Sequence, residues 1–285
     1  MMILIDGKLL ASEIKEKLKV EVSELKQKNI HPKLAVILVG DDFASKKYVN
    51  NKKIACEYVG IEQELIELGS DIIEEELIKV IEKLNNDESV HGILVQLPLP
   101  KHIDSYKIIS IINPNKDVDG FHPENVGKLS IGCEGLISCT PNGIMRLLEK
   151  YNIDVWGKNC VVIGKSNIVG KPITMLLLKE NATVTVCHIE TRDISSITRQ
   201  ADVIIVAAGK LGLITSDMIK PGVVIIDVGI NRNEDNEICG DVDFDGCKNK
   251  ASYLTPVPGG VGPMTIAMLM ENCVKVAKNI SLYHE

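Results

Sequence analysis

Tyr48 and Lys52 stand four residues apart in the segment ASKKYVNNKK. On a helix that spacing puts both side chains on one face. A tyrosine beside a lysine in a dry cleft can hold the amine and bring it into range for proton transfer. Lysines also crowd solvated helix faces, so spacing alone favours an exposed, solvated pair. Gln96 ends the apolar run Gly92-Ile-Leu-Val95 ahead of Leu97-Pro98. Ligands of open α/β sheets bind beyond the carboxyl ends of strands, where an amide can donate and accept at once. A polar strand end before a proline turn reads equally well. Lys116-Asp-Val-Asp-Gly120 sets Asp117 and Asp119 in a glycine turn, which more often serves turn chemistry than metal binding or proton transfer.

Two glycine-rich stretches point to ligands. In VVIGKSNIVGKP (161–172) a hydrophobic strand runs into Gly164, and a helix begins near Val169-Gly170. Backbone N–H groups and a helix N-terminus at such a turn can meet a pyrophosphate. Ser166 replaces the second glycine of a regular G-x-G-x-x-G, and Gly170 comes one residue late. The strand-then-helix context nevertheless favours a dinucleotide site over an ordinary turn. TPVPGGVGPMT (255–265) combines three prolines after Thr255 with three glycines, a rigid backbone able to approach a ligand closely. The six histidines form no H-E-x-x-H and the eight cysteines no C-x-x-C, so no metal site is expected.

These residues need elements to hold them. Leu10, Ile14, Leu18, Val22 and Leu25 recur at helical spacing and predict a helix over about 9–28. Residues 34–39 read as a buried strand stopped by Gly40. A second helix starts at Ser45 and ends at Gly60. A strand over 61–68, a helix marked by Ile73, Leu77, Val80, Ile81 and Leu84, and the strand 92–95 follow. Between 113 and 135 the pattern lapses into Gly, Asn, Pro and Asp; so long a loop is usually functional or a linker, and marks a domain boundary. Thr140-Pro141 opens a helix. Strands over 160–163, 183–186, 203–207 and 223–227 then alternate with helices over 169–180, near 193–200 and near 215–219. A last helix covers about 264–281. The alternation predicts parallel sheets covered by helices.

At 285 residues the chain has room for two ordinary domains. Its 45% hydrophobic content supports a real core. Lys plus Arg is 32 against 39 Asp plus Glu, a net charge of −7, which argues against nucleic acid and membrane surfaces as partners. The uncharged stretch 251–270 is broken by three prolines and three glycines, so it is not a membrane span. The start, MMILIDGK, has too short an apolar run for a signal peptide. Scattered cysteines suit reduced thiols and a cytoplasmic protein.

Eight segments share one further property. VGDDFASKKYVNNKKIACEYVGI (39–61), GILVQLPLP (92–100), INPNKDVDGFHPENVG (112–127), CTPNGI (139–144), VIGKSNIVGKP (162–172), DVGIN (227–231), GDVDF (240–244) and TPVPGGVGPMT (255–265) run in order along nearly the whole chain. Together they resemble the bifunctional methylenetetrahydrofolate dehydrogenase/methenyltetrahydrofolate cyclohydrolase family. The resemblance implies two α/β domains with a folate cleft between them. Residues 1–118 with 264–285 would bind folate, the C-terminal helix returning to that domain. Residues 119–263 would form a Rossmann-type, doubly wound parallel sheet for NADP. It also implies a homodimer through the cofactor domain. The implied chemistry is hydride transfer from 5,10-methylenetetrahydrofolate, then hydrolysis of the methenyl product to 10-formyltetrahydrofolate. By the same resemblance Lys52 assists proton removal from the attacking water, Tyr48 orients pterin and lysine, Gln96 bonds the lysine, and Asp119 anchors the pterin N–H groups. Val95, Leu97, Pro258, Gly259, Gly260, Val261 and Gly262 would line the folate site. Gly164, Lys165, Ser166, Ile168, Val169, Ile189, Glu190 and Ile230 would line the cofactor site.

Two departures bear on the cofactor. The family usually has arginine where Lys165 stands, and C-H-S-x-T where this chain has Cys187-His-Ile-Glu-Thr191. Ile189 removes a hydroxyl and Glu190 adds a negative charge, which favours a free ribose 2′-hydroxyl, although Lys165 and Arg192 remain to neutralise a phosphate. NAD use beside NADP is therefore an expectation. Rival readings are an NAD-preferring dehydrogenase without cyclohydrolase activity, another two-domain dehydrogenase sharing only the cofactor fold, and a non-catalytic dinucleotide-binding protein. Lys52 and Gln96 argue against the first and Lys52 against the last, while the segments 39–61 and 255–265 disfavour the second.

Overall fold

Alternating apolar runs and amphipathic stretches build two α/β units in the computed structural model, which describes residues 2–282. Residue 1 and residues 283–285, the end of the predicted folate-domain segment 264–285, lie outside the described residues. One unit comprises 12–139 and 266–285, the other 1–11 and 140–265. Sequence placed 1–11 with the first domain and 119–139 with the second; in the structure each packs with the opposite unit.

The unit containing 12–139 is centred on three parallel strands in the order Glu62–Leu68, Lys33–Val39, Gly92–Val95. The middle strand is apolar from Leu34 onward because helices cover both its faces. Ala35, Ile37, Val39, Ile93 and Val95 pack on Leu77, Ile81 and Leu84 of the helix Glu74–Asn86. The edge strand is more open, and its glutamates at 62, 64 and 67 discourage edge pairing. The helix expected from Ser45 begins earlier, at Phe43: the Asp42 carboxylate caps it by accepting the Ser45 N–H at 2.7 Å. It ends at Val59, where Gly60 takes the left-handed conformation (φ 91°).

The segment read as an irregular loop contains the helix Pro123–Ser130. His122 caps it through its ring nitrogen and proline fills the first turn, a start signal easily missed because histidine is an uncommon cap. Lys116 and Asp117 hold this region to the sheet. The Ile93 N–H donates to the Lys116 carbonyl at 2.8 Å. The Asp117 carboxylate accepts the His122 N–H at 2.8 Å and the Asn125 amide at 2.9 Å. Asn272, on the last helix Val261–Leu282, donates to the carbonyls of Val118 (2.8 Å) and Ile137 (3.0 Å). The C-terminal helix thereby joins this unit, as expected.

The other unit holds a parallel sheet in the order Thr183–Cys187, Asn159–Ile163, Val203–Val206, Val224–Asp227, Tyr253–Leu254, Ile3–Leu4. Four strands were expected. The two extra ones have two residues each, too short to show periodicity. The chain winds outward from Asn159–Ile163 to one edge, then resumes on its other side at Val203–Val206. That reversal is the switch point of a doubly wound fold. Among the described residues no helix is long and apolar enough to cross a membrane.

Lys116 generates a stability prediction. It is only 8% exposed, and its ammonium donates to the carbonyls of Leu84 (3.1 Å), Asn85 (2.9 Å) and Asp87 (2.7 Å), the frayed end of the Glu74–Asn86 helix. Burial lowers its pKa. Lys116→Met leaves those carbonyls without their donor and should cost about 2 kcal/mol. The measurement is a urea titration in which the midpoint falls at constant slope; an unmoved midpoint would mean water replaces the ammonium.

Candidate active site

In the unit containing 12–139, Tyr48 and Lys52 lie one turn apart on the helix Phe43–Val59. The helix follows strand Lys33–Val39 directly, so its first turns lie at the carboxyl end of the sheet. Gln96 reaches the same end from the neighbouring strand, because Val95 is paired with Ile37 and the Gln96 N–H continues the ladder to the Ile37 carbonyl at 2.9 Å. Lys52 Nζ donates to Gln96 Oε1 at 2.9 Å. Gln96 Nε2 donates to the Leu97 carbonyl at 2.7 Å, which leaves the amide oxygen for the lysine. Helix face and strand end thus meet, and the exposed-pair reading of Lys52 is set aside.

Asp119 completes the cluster. Lys116, Asp117 and Val118 are all buried as anchors, and Gly120 turns the chain with φ +72° where a side chain would strike the backbone of Ile137 and Ser138. Asp119 is left partly open. Burial raises its carboxyl to about 6; the Lys52 charge opposes that rise and Asp117 adds to it. Of the two acids in the motif, Asp117 is structural and Asp119 is available. Tyr48 is 42% exposed, and among the described residues its hydroxyl makes no hydrogen bond to Lys52. Its ring is a free flank of the site. Val95 points into the core, whereas Leu97 is partly open. The nearby Cys139 thiol is pushed well up by burial and then by Asp119, so it is no nucleophile at neutral pH.

In the other unit, the predicted glycine loop leaves strand Asn159–Ile163 at the switch point. Gly164 (φ +124°) donates its N–H to the Cys187 carbonyl, and a Cβ there would collide with the Ala207 carbonyl. A Cβ on Gly170 would collide with the Gly164 carbonyl, so the late glycine serves close packing of helix Gly170–Lys179 on the loop. Ser166, in place of the second glycine, accepts the N–H groups of Val169 (3.1 Å) and Gly170 (3.3 Å) and caps that helix. Lys165, Ser166 and Ile168 are exposed around the loop and Val169 is partly buried. Ile189 and Glu190 project from the turn after the neighbouring strand, Ile189 being 94% exposed. That turn is closed by the Thr191 N–H on the His188 carbonyl at 2.8 Å. Ile230 is exposed beyond strand Val224–Asp227. Backbone that only glycine permits, a helix start and exposed apolar side chains at strand ends form a cradle suited to a dinucleotide. The loop 207–210, after the third strand of the winding, also bounds the switch point; its one sequence signal was Gly209 behind an apolar run.

Pro258, Gly259, Gly260, Val261 and Gly262 belong to this second unit. Gly259 (φ +110°) gives its carbonyl to the Lys8 N–H at 2.9 Å, and Gly7 can approach Gly260 only because it lacks a side chain. The glycines therefore bring the turn against the N-terminal segment, while Val261 is buried. No group of three or more His, Cys, Asp or Glu could hold a metal among the described residues.

Residues 5–119 match the family model described as tetrahydrofolate dehydrogenase/cyclohydrolase, catalytic domain. Residues 138–281 match the model of the same name for the NAD(P)-binding domain. The chain belongs to the tetrahydrofolate dehydrogenase/cyclohydrolase family. It is 60% identical over 275 residues to the bifunctional protein FolD of Agathobacter rectalis, covering 96% of this chain and 99% of that one. The crystal structure of the bifunctional FolD methylenetetrahydrofolate dehydrogenase/cyclohydrolase of Campylobacter jejuni superposes with a TM-score of 0.98 at 57% identity, covering 98% of this chain and 100% of that chain. A Trypanosoma brucei member of the family, solved with NADP cofactor and an inhibitor, superposes with a TM-score of 0.94 at 38% identity over 98% of both chains. Within the family's two domains, Tyr48, Lys52, Gln96 and Asp119 all fall in the catalytic match and the Gly164 loop in the NAD(P)-binding match.

Proposed function

We propose that the chain oxidises 5,10-methylenetetrahydrofolate with NADP and hydrolyses the methenyl product to 10-formyltetrahydrofolate. The Lys52–Gln96 hydrogen bond beside Asp119, within the family's catalytic domain, carries this reading. When bound, NADP supplies the hydride acceptor; Gly164, Lys165, Ser166, Ile168, Val169 and Ile230 are the residues to hold it. The Asp119 carboxylate accepts the pterin N–H groups and fixes the ring. The Tyr48 ring flanks it. Lys52 assists proton removal from the water that attacks the methenyl carbon, and Gln96 Oε1, by accepting one lysine N–H, aims the nitrogen. The turn Pro258–Gly262 is assigned to the folate as part of the same proposal.

Glu190, exposed after the second strand of the winding, supports a second reading in which NAD also serves, since a carboxylate there suits a ribose hydroxyl. The unit containing 140–265 also supports a homodimer. Its edge strand Thr183–Cys187 carries no charge or proline and is largely exposed, so a second copy can extend the sheet. Eight cysteine thiols, six of them buried, suit work in the cytoplasm.

Four measurements test these assignments. In a spectrophotometric assay with methylenetetrahydrofolate, run with NADP and with NAD, both nucleotides should support turnover; an NADP rate higher by orders of magnitude would end the NAD reading. Lys52→Met should slow methenyl hydrolysis by about a hundredfold or more with NADPH binding unchanged, whereas loss of both points to a structural lysine. The Asp119 carboxyl, raised to about 6 by burial, loses its charge and turns one acceptor oxygen into a donor when protonated, so anchoring of two N–H groups weakens as pH falls through that value. The folate KM should then rise about tenfold per pH unit below it, and Asp119→Asn should abolish the slope; parallel profiles would remove Asp119 from the site. In sedimentation equilibrium the native protein should have twice the mass of the chain, and a monomer at micromolar concentration would contradict the dimer.

A further inference from the structure

Apart from Ile230, the motifs DVGIN and GDVDF take no part in the reaction as proposed, yet they hold two of the most buried acids among the described residues. Asp241 and Asp227 are 0% and 3% exposed, and neither has a cationic partner within salt-bridge distance among the described residues. Backbone amides stabilise them instead. The Asp241 carboxylate accepts the N–H groups of Ala208 (2.7 Å), Gly209 (2.9 Å) and Lys210 (2.9 Å). Three consecutive amides converging on one carboxylate form the concave nest that elsewhere grips a free anion. Here the anion is internal. Asp241 also accepts the side-chain amide of Asn231 at 2.8 Å.

Asp227 ends the strand Val224–Asp227 and carries the second half of the device. Its carboxylate accepts the N–H groups of Gly229 (2.9 Å), Asp241 (3.0 Å) and Val242 (2.9 Å). Packing around both acids leaves no spare volume. A Cβ on Gly229 would collide with the Asp241 carboxylate, and a Cβ on Gly240 with that of Asp227. Each motif therefore supplies one acid and the glycine that makes room for the other acid. Together they bracket two loops: 207–210, which bounds the switch point, and 228–231, which carries Ile230.

We propose that Asp241 is a positioning residue for the nicotinamide nucleotide. It holds the Ala208–Lys210 loop directly, and the following loop through Asn231, in the shape that receives the cofactor. Pre-ordering a loop removes its ordering cost from binding, so the effect belongs in nucleotide affinity. The inference rests on the NADP reading above.

The test is NADPH and NADH fluorescence titration of the full chain, with methenyl hydrolysis and thermal midpoint measured alongside. Asp241→Asn keeps the volume but turns one acceptor position into a donor facing N–H groups. It should weaken NADPH binding and raise the NADP KM by about tenfold or more, while methenyl hydrolysis stays within about twofold because that chemistry rests on Lys52 in the other unit. Asn231→Ala, which removes one hydrogen bond and leaves the three amides gripped, should weaken binding about threefold; it decides the matter if the first variant does not fold. Wild-type affinity in the two variants overturns the proposal. So does a parallel loss of nucleotide binding, hydrolysis and thermal midpoint, which marks a structural role alone. Failure of the wild-type chain to bind NADPH would instead overturn the cofactor reading on which the proposal rests.

Discussion

A single 2.9 Å hydrogen bond, from Lys52 to Gln96, joins residues 44 apart in the chain, and the catalytic unit is built so that it can form. The lysine is placed by a helix whose start is set by the Asp42 carboxylate and whose end is set by Gly60. The glutamine is placed by a parallel register in which Val95 opposes Ile37. A shift of one residue in that register would turn Gln96 to the opposite face. The bond therefore records the correct assembly of sheet and helix, and Asp119 enters beside it only because Lys116 and Asp117 are buried beneath.

Buried charge is handled in the same way throughout the protein. Lys116 is surrounded by helix-end carbonyls, Asp117 by a backbone N–H and an amide, and Asp227 and Asp241 chiefly by backbone N–H groups. An isolated ion in a protein interior is strongly disfavoured, but peptide dipoles offset that cost without requiring a second charge. Each ion fixes a stretch of backbone that would otherwise be loop, and those stretches border either the Lys52 cluster or the switch point of the six-stranded sheet.

Much of the architecture was legible in the pattern of apolar residues. The strand Lys33–Val39, the helices at Phe43–Val59 and Glu74–Asn86 and the winding order from Asn159 onward follow from periodicity and glycine stops. Other elements left no such trace. Ile3–Leu4 and Tyr253–Leu254 become strands only because a sheet edge is there to pair with them. The helix Pro123–Ser130 begins at a histidine cap that propensity does not announce. The domain boundary moved from 118 to 139 because Val118, Gly120 and Ile137 close on one another around Asn272, a contact between distant segments.

Residue type and spacing alone determined which chemistry was present: a lysine one helical turn from a tyrosine, an amide at a strand end, two acids in a turn, and glycines where backbone must pass close. These are local properties, written within a few residues of one another. Tertiary structure decided which of them meet. It separated Asp119 from Asp117, joined Lys52 to Gln96, removed Val95 into the core and converted Asp227 and Asp241 from ordinary motif acids into a bracket for two loops. The physical reason is burial. Whether a polar group meets water, a ligand or a backbone amide depends on what the rest of the chain packs around it, and no short segment contains that information.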